Sequence, residues 1–147
     1  MYKIFLLIHH SLAWVTIVTG LLAASRAWHK IIFRKWWSRA DSAVAIALTV
    51  TIDLQLTAGI ILYAGFSPVT KAAFMDFANA MGDPSIRFIA VEHATAMLLA
   101  VILVHAGSSL ARKAQFAARK HRISALFYTI ALLLMIWRIP WDRFIPS

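Results

Sequence analysis

The sequence predicts an all-α integral membrane protein, an antiparallel four-helix bundle forming one domain over residues 1–147 with both termini on the outer side. Three observations carry this. Hydrophobic residues make up 61% of the chain and charged residues 14%, against roughly 25% charged in an ordinary soluble domain. Four apolar stretches each approach the ~20 residues needed to cross a bilayer. Most of the Lys and Arg fall in two of the connections, an asymmetry that sets orientation.

The first span is read at residues 4–24. It is too long for a signal-peptide core, carries two histidines and lacks the usual small-residue cleavage site after it, so it is expected to stay in the chain. The loop that follows holds Arg26, Lys30, Arg34, Lys35 and Arg39, with Trp28, Trp36 and Trp37 among them. That composition suits a headgroup layer on the cytoplasmic side. The second span is residues 42–65, stopped by Ser67-Pro68. Thr70 is a candidate cap for a short helix whose apolar face is Phe74, Phe77, Ala78 and Met81, ended by Gly82-Asp83-Pro84. This piece is expected to lie at the interface and cover the outer mouth of the bundle. The third span is residues 88–110, followed by a second basic loop with Arg112, Lys113, Arg119, Lys120 and Arg122. The fourth is residues 123–139. Lys3, Lys71, Arg87, Arg138 and Arg143 are left to share the outer side with Asp76, Asp83, Glu92 and Asp142. No Gly-, Ser- or Pro-rich linker and no internal repeat divides the chain.

The absence of cysteine excludes disulfides, thiolate-bound clusters and thiolate zinc sites, so a metal would be held by His, carboxylate or Met. A formal net charge of +9 raises the question of nucleic acid. The clustering of that charge in two loops is explained better by topology and anionic-lipid contact, and no nucleic-acid partner is expected. No hydrolytic triad, phosphate loop or nucleotide motif is evident.

Two histidines, His9 and His93, sit inside apolar spans, where an imidazole is costly. Residues three, four and seven apart share a helical face. His9 lines up with Ala13, Thr16 and Gly20, small or weakly polar residues that let helices approach or leave room for a flat cofactor. His10 lines up with Trp14, Ile17 and Leu21, a lipid-facing or peripheral set. His9 is therefore the better ligand candidate and His10 its substitute. His93 lines up with Met97, Ala100, Val104 and Gly107, and should also face inward.

The antiparallel course places His9 and His93 at similar depth, ~6–10 Å inside the outer boundary at 1.5 Å per residue. Opposed imidazoles on facing helices can hold the iron of one b-type haem, each ring's other nitrogen being fixed by an acceptor. Histidines in membrane helices also serve as interhelical hydrogen-bond donors or proton carriers, and those roles stay open here. His105 lies where a second haem would need it. Only His29 and His121 are available as partners there, both in or beside the basic loops, so a second haem is not expected. Asp53 shares a face with Thr49, Thr57, Ile60 and Ala64. It is a candidate proton relay, a second acceptor for a histidine, or a neutral acid bonded to a neighbouring hydroxyl or carbonyl. Gln55 and Gly59 read as packing residues, as do Met97 and Met135, and Glu92 as a partner of Arg87 or Arg138.

The runs His9-His10-Ser11-Leu12-Ala13-Trp14, Asp53-Leu54-Gln55-Leu56 with Gly59 and Leu62-Tyr63, Arg87-Phe88-Ile89-Ala90-Val91-Glu92-His93, and Lys120-His121-Arg122 leading to Ile139-Pro140-Trp141 resemble small four-span membrane proteins of Bacteroidetes-type bacteria. Such proteins are often labelled cytochrome b or cytochrome B-like. The resemblance covers all four spans. It implies that the family's first-span histidine falls on His9, with Trp14 five residues later, and its third-span Glu-His pair on Glu92 and His93. The chain departs from the pattern at Asp53, where the family often has His two residues before the second-span Gln, and at Ala13, where it often has Arg.

The expectation is a b-type cytochrome-like electron-transfer protein or subunit in a bacterial inner membrane. It would bind one haem near the periplasmic face through His9 and His93, with a quinone or a partner complex as redox partner. With so little mass outside the membrane, it would act within a larger respiratory or photosynthetic assembly rather than as an autonomous enzyme. The alternatives are a cofactor-free accessory subunit, in which the histidines are polar glue, and a small proton or metal carrier using His9, His93 and Asp53.

Overall fold

The computed structural model of the chain describes residues 1–141, and these are almost entirely helical. Asp142 and Arg143, assigned above to the outer side, lie outside the described residues. Seven α-helices follow one another: α1 (Tyr2–Ile32), α2 (Arg39–Ile61), α3 (Pro68–Met75), α4 (Phe77–Gly82), α5 (Pro84–Arg87), α6 (Ala94–Lys113) and α7 (Ala117–Trp137). Two π-helical segments, Leu62–Phe66 and Phe88–His93, prolong α2 and join α5 to α6. Four helical stretches are long and apolar enough to cross a membrane: Tyr2–Ile32, Arg39–Phe66, Pro84–Lys113 and Ala117–Trp137.

α1 runs well past the apolar span because nothing breaks it before residue 32, and Arg26 and Lys30 find a partner beside it. Their carboxylate is Asp41, with Arg26 Nε at 2.6 Å and Lys30 Nζ at 3.5 Å. The helix ends in a Schellman turn. Arg34 takes a left-handed conformation (φ 49°), and the Lys35 N–H donates back to the Lys30 carbonyl at 3.0 Å. Asp41 also completes a capping box with Ser38 at the start of α2, so one side chain fixes the turn between the first two long helices.

The long helices form a ring in which α1 touches α2 and α7, and α6 touches α7 and α2. Cross-helix hydrogen bonds give the direction. Thr16 Oγ1 donates to the Thr51 carbonyl, Thr49 and Ser108 hydroxyls meet at 3.3 Å, and Ser108 meets the Tyr128 hydroxyl at 2.9 Å. With the Arg26–Asp41 pair for α1 and α2, Asp53–His105 for α2 and α6, His93–Arg138 for α6 and α7, and Gly20–Leu132 and Trp28–Thr129 for α1 and α7, these contacts make each neighbouring pair antiparallel. The centre is built from small residues, Ala23, Ala24, Ala100, Val104 and Ala131, around Leu48, Ile52, Tyr128 and Leu132. Close approach, rather than bulk, fills it, as is usual between helices surrounded by hydrocarbon. Large apolar side chains point outward instead, among them Leu7, Val18, Leu54, Ile102 and Leu133. A surface of that kind fits lipid and not water.

The connection between the second and third long helical stretches differs from the expected single helix. Ser67, not Thr70, caps α3; Thr70 is buried within it and donates to the Tyr63 carbonyl at 2.6 Å. Asp76 leaves helical geometry (φ −145°, ψ 85°) and caps α4 through the Asn79 N–H, so the segment is two short helices. Their inward contacts are made by Ala73 and Ala80 against Ala90, while Phe74 and Phe77 are exposed.

Candidate functional site

The start of α1, the end of α2, the π segment before α6 and the residues after α7 meet at one end of the bundle, enclosing a cavity of about 150 Å³. Its polar lining is Tyr2, His9 and His10 from α1, Gln55 from α2, Tyr63 from the first π segment, Ser67 and Thr70 at the start of α3, and His93 from the second π segment. The walls are apolar, including Leu6, Leu62, Ile89 and Ile139. Both π segments border the cavity. An i→i+5 turn shifts the side chains that follow it relative to a regular helix, and such turns recur at functional sites. Tyr63 ties the two segments together by donating to the Ala90 carbonyl at 2.8 Å.

His9 and His93 face each other with ring centroids 6.3 Å apart and ring planes at 75°. His93 Nδ1 lies 2.7 Å from the Arg138 carbonyl oxygen. A carbonyl only accepts, so the proton is on Nδ1 and Nε2 carries the lone pair. The same Arg138 reaches Glu92 with its guanidinium at 2.9 Å, and Arg87 holds the other Glu92 oxygen at 3.1 Å. Consecutive residues Glu92 and His93 are thus both fixed by Arg138, one through its side chain and one through its backbone.

His9 is held less completely. Its Nε2 lies 3.3 Å from the Gln55 amide nitrogen, while its Nδ1 and the Gln55 Oε1 are buried without a hydrogen-bond partner. Buried polar atoms in that state are uncommon and mark a place where a further group fits. Gly59 gives the ring its seat, since a Cβ at that position would stand 3.2 Å from His9 Cε1.

The pair can be tested against a metal between two imidazoles. A metal–nitrogen bond of about 2 Å on each side, plus the distance from nitrogen to ring centre, puts the two centroids about 6 Å apart. The observed 6.3 Å matches, and rotation about a common axis leaves the interplanar angle free. Among the described residues no group of three or more His, Cys, Asp or Glu is arranged to hold a metal ion. A porphyrin brings four nitrogens of its own and asks the protein for two, so the donor set suits haem better than a bare ion. The cavity, however, is the size that takes a single aromatic ring. A whole macrocycle needs several times that space, so the His9–His93 separation fits the group while the cavity between the helices is smaller than it.

The remaining sequence candidates fall elsewhere or play smaller parts. His10 lines the same cavity, its ring centroid 6.5 Å from that of His9. Asp53 is not with the His9–His93 pair; its Oδ1 lies 2.7 Å from Nε2 of His105, on the outer face between α2 and α6. His29 packs on Phe33, and His121 is buried against Trp37 at the opposite, basic end. Gln55, Gly59 and Tyr63 belong to the site, although sequence reasoning gave the first two to packing. Their spacing at i, i+4 and i+8 on one helical face was the available signal.

Comparison of the chain with protein-family models, with curated proteins and with solved structures gives no match.

Proposed function

We propose that this chain is a multi-pass protein of the bacterial inner membrane that holds one b-type haem between His9 and His93 and serves electron transfer within a larger complex. The positive-inside rule puts the two basic loops in the cytoplasm. It therefore puts the histidine end, the start of α1 and the outer helices α3 and α4 on the periplasmic side, with α3 and α4 lying at the interface. The observation that carries the reading is the 6.3 Å separation of two imidazoles, one with its Nδ1–H committed to a backbone carbonyl and its Nε2 lone pair left to ligate a metal. The haem supplies reversible one-electron iron chemistry when bound. The protein's residues orient and insulate. Arg138 fixes the His93 tautomer, and Gly59 leaves room for the His9 ring. Leu6, Leu62, Ile89 and Ile139 exclude water, and Arg87 and Arg138 hold positive charge at the rim. A quinone or a neighbouring redox subunit is the electron partner that such a position serves.

Purification in mild detergent after expression with ample haem, followed by a reduced-minus-oxidised optical spectrum, tests this. Bands of a b-type haem are expected, and His93→Ala should abolish them. Their absence from wild-type protein expressed with ample haem overturns the reading.

A second reading, that of a cofactor-free accessory subunit, draws on the ring-sized cavity and on the contact of His9 with Gln55. In that case the histidines join helices by hydrogen bonds. The spectrum would then be featureless, and the protein would purify with other membrane subunits.

A further inference from the structure

Asp53 stands midway between Arg39 and Phe66, about 20 Å along the helix from either end. At that depth it makes a 2.7 Å hydrogen bond with His105 of α6, and both side chains are 48% exposed on the outside of the bundle. Ionisable groups in membrane helices almost always face a bundle interior or an aqueous cavity. This pair faces neither. Leu54, Leu98 and Ile102 around it are exposed as well, and none of the cavities described includes Asp53 or His105. A surface without a recess suits another helix rather than a small molecule.

The protonation chemistry narrows the choice of partner. In hydrocarbon the pair is stable only when it is neutral as a whole. Two arrangements satisfy this: an imidazolium beside a carboxylate, or an imidazole beside a carboxylic acid whose O–H points at Nε2. In both, His105 Nδ1 carries a hydrogen and Asp53 Oδ2 is a free acceptor site. The pair therefore presents one donor and one acceptor at the same level. A two-fold axis along the membrane normal preserves depth, so a second copy brings its acceptor to the first copy's donor and the reverse.

We infer that the α2–α6 face is the interface of a homodimer, closed by reciprocal hydrogen bonds between the Asp53–His105 pairs of two copies. The inference rests on the membrane placement of the helices and not on haem binding. Interhelical polar contacts of this kind join helices where lipid gives no hydrophobic drive.

The chain has no cysteine, so single cysteines report cleanly. Leu54→Cys and Ile102→Cys, oxidised in native membranes, should give a disulfide-linked species of twice 16.4 kDa. Val18→Cys and Leu133→Cys, on the outer faces of α1 and α7, should not. Replacing both members of the pair, Asp53→Leu with His105→Leu, should weaken dimerisation at least tenfold in each cysteine background. The monomer should stay folded, judged by its helical circular dichroism and its gel-filtration profile. Cross-linking at Leu54 and Ile102 no stronger than at the control positions overturns the inference. So does a cross-link to a chain of different mass, or a dimer that survives the double leucine substitution unchanged.

Discussion

The His9 ring rests against the bare Cα of Gly59, where a Cβ would stand 3.2 Å from Cε1 and 3.7 Å from Nδ1. The glycine costs α2 about 1 kcal/mol of helix propensity relative to alanine. Gly59→Ala should therefore leave thermal stability in detergent unchanged or slightly raised while pushing the imidazole off its seat by a few tenths of an ångström. The expected result is a several-fold loss of haem affinity and a shifted spectrum. Wild-type haem binding in Gly59→Ala would mean that the position of the His9 ring does not matter.

His9 and His10 both reach the cavity, but only His9 faces His93 across the bundle. His9→Ala should remove the low-spin bis-imidazole signature in electron paramagnetic resonance, and His10→Ala should leave it in place. A reversed outcome assigns the axial role to His10. Loss with neither variant removes both from the iron.

Helical periodicity and depth single out His9 and His93 in the sequence, and the structure brings their rings together, because both are properties of regular helices that a sequence displays directly. Thr16 and Gly20 on the His9 stripe, and Ala100, Val104 and Gly107 on the His93 stripe, are buried as their spacing implies. What could not be read depends on departures from regularity. The π segments at Leu62–Phe66 and Phe88–His93 have no simple sequence mark, yet they set how Tyr63 and His93 enter the cavity. The Arg138 carbonyl is a backbone group, invisible to any search for side-chain acceptors. Asp53 stands out in the sequence as costly, but its partner His105 is 52 positions away and faces outward, a relation that only the packing of α2 on α6 reveals. The break at Asp76 is not legible in the apolar pattern, because an Asx cap competes locally with continuation of the helix and the pattern does not report that competition.

α6 and α7 meet closely at Gly107, where a Cβ would stand 2.5 Å from Phe127 Cβ and 3.0 Å from its Cγ. The near atom is the first of the Phe127 side chain and cannot swing away, so the helices themselves must separate. Gly107→Ala should destabilise the bundle by about 2 kcal/mol, in the range for overpacked cores. Gly65→Ala, with no atom within 4 Å of the added carbon, is the control and should be near neutral. Unfolding in mixed detergent micelles, followed by circular dichroism, separates the two. Equal stability of both variants would show that the α6–α7 contact is looser than the structure has it.

Of the acidic residues in the chain, Asp41 alone lies beside a basic connection, and its carboxylate does three jobs at once. It accepts from the Ser38 backbone N–H at 2.7 Å in the capping box, pairs with Arg26 at 2.6 Å and lies 3.5 Å from Lys30. Asp41→Ala removes the box and leaves Arg26 and Lys30 facing each other without a counter-ion. The cap alone is worth about 1 kcal/mol. Loss of the largely buried pair adds to it, less than the full cost of a buried charge because Arg26 keeps access to water, for a total of about 2–3 kcal/mol. Asp41→Asn can still accept from Ser38 but cannot neutralise the cations, so it should fall between wild type and alanine. The same ordering should appear in chemical unfolding at low salt, and the gap between Asn and Asp should narrow as salt screens the exposed side of the pair. If Asn were as damaging as Ala, the carboxylate would act through charge alone and the capping box would contribute nothing.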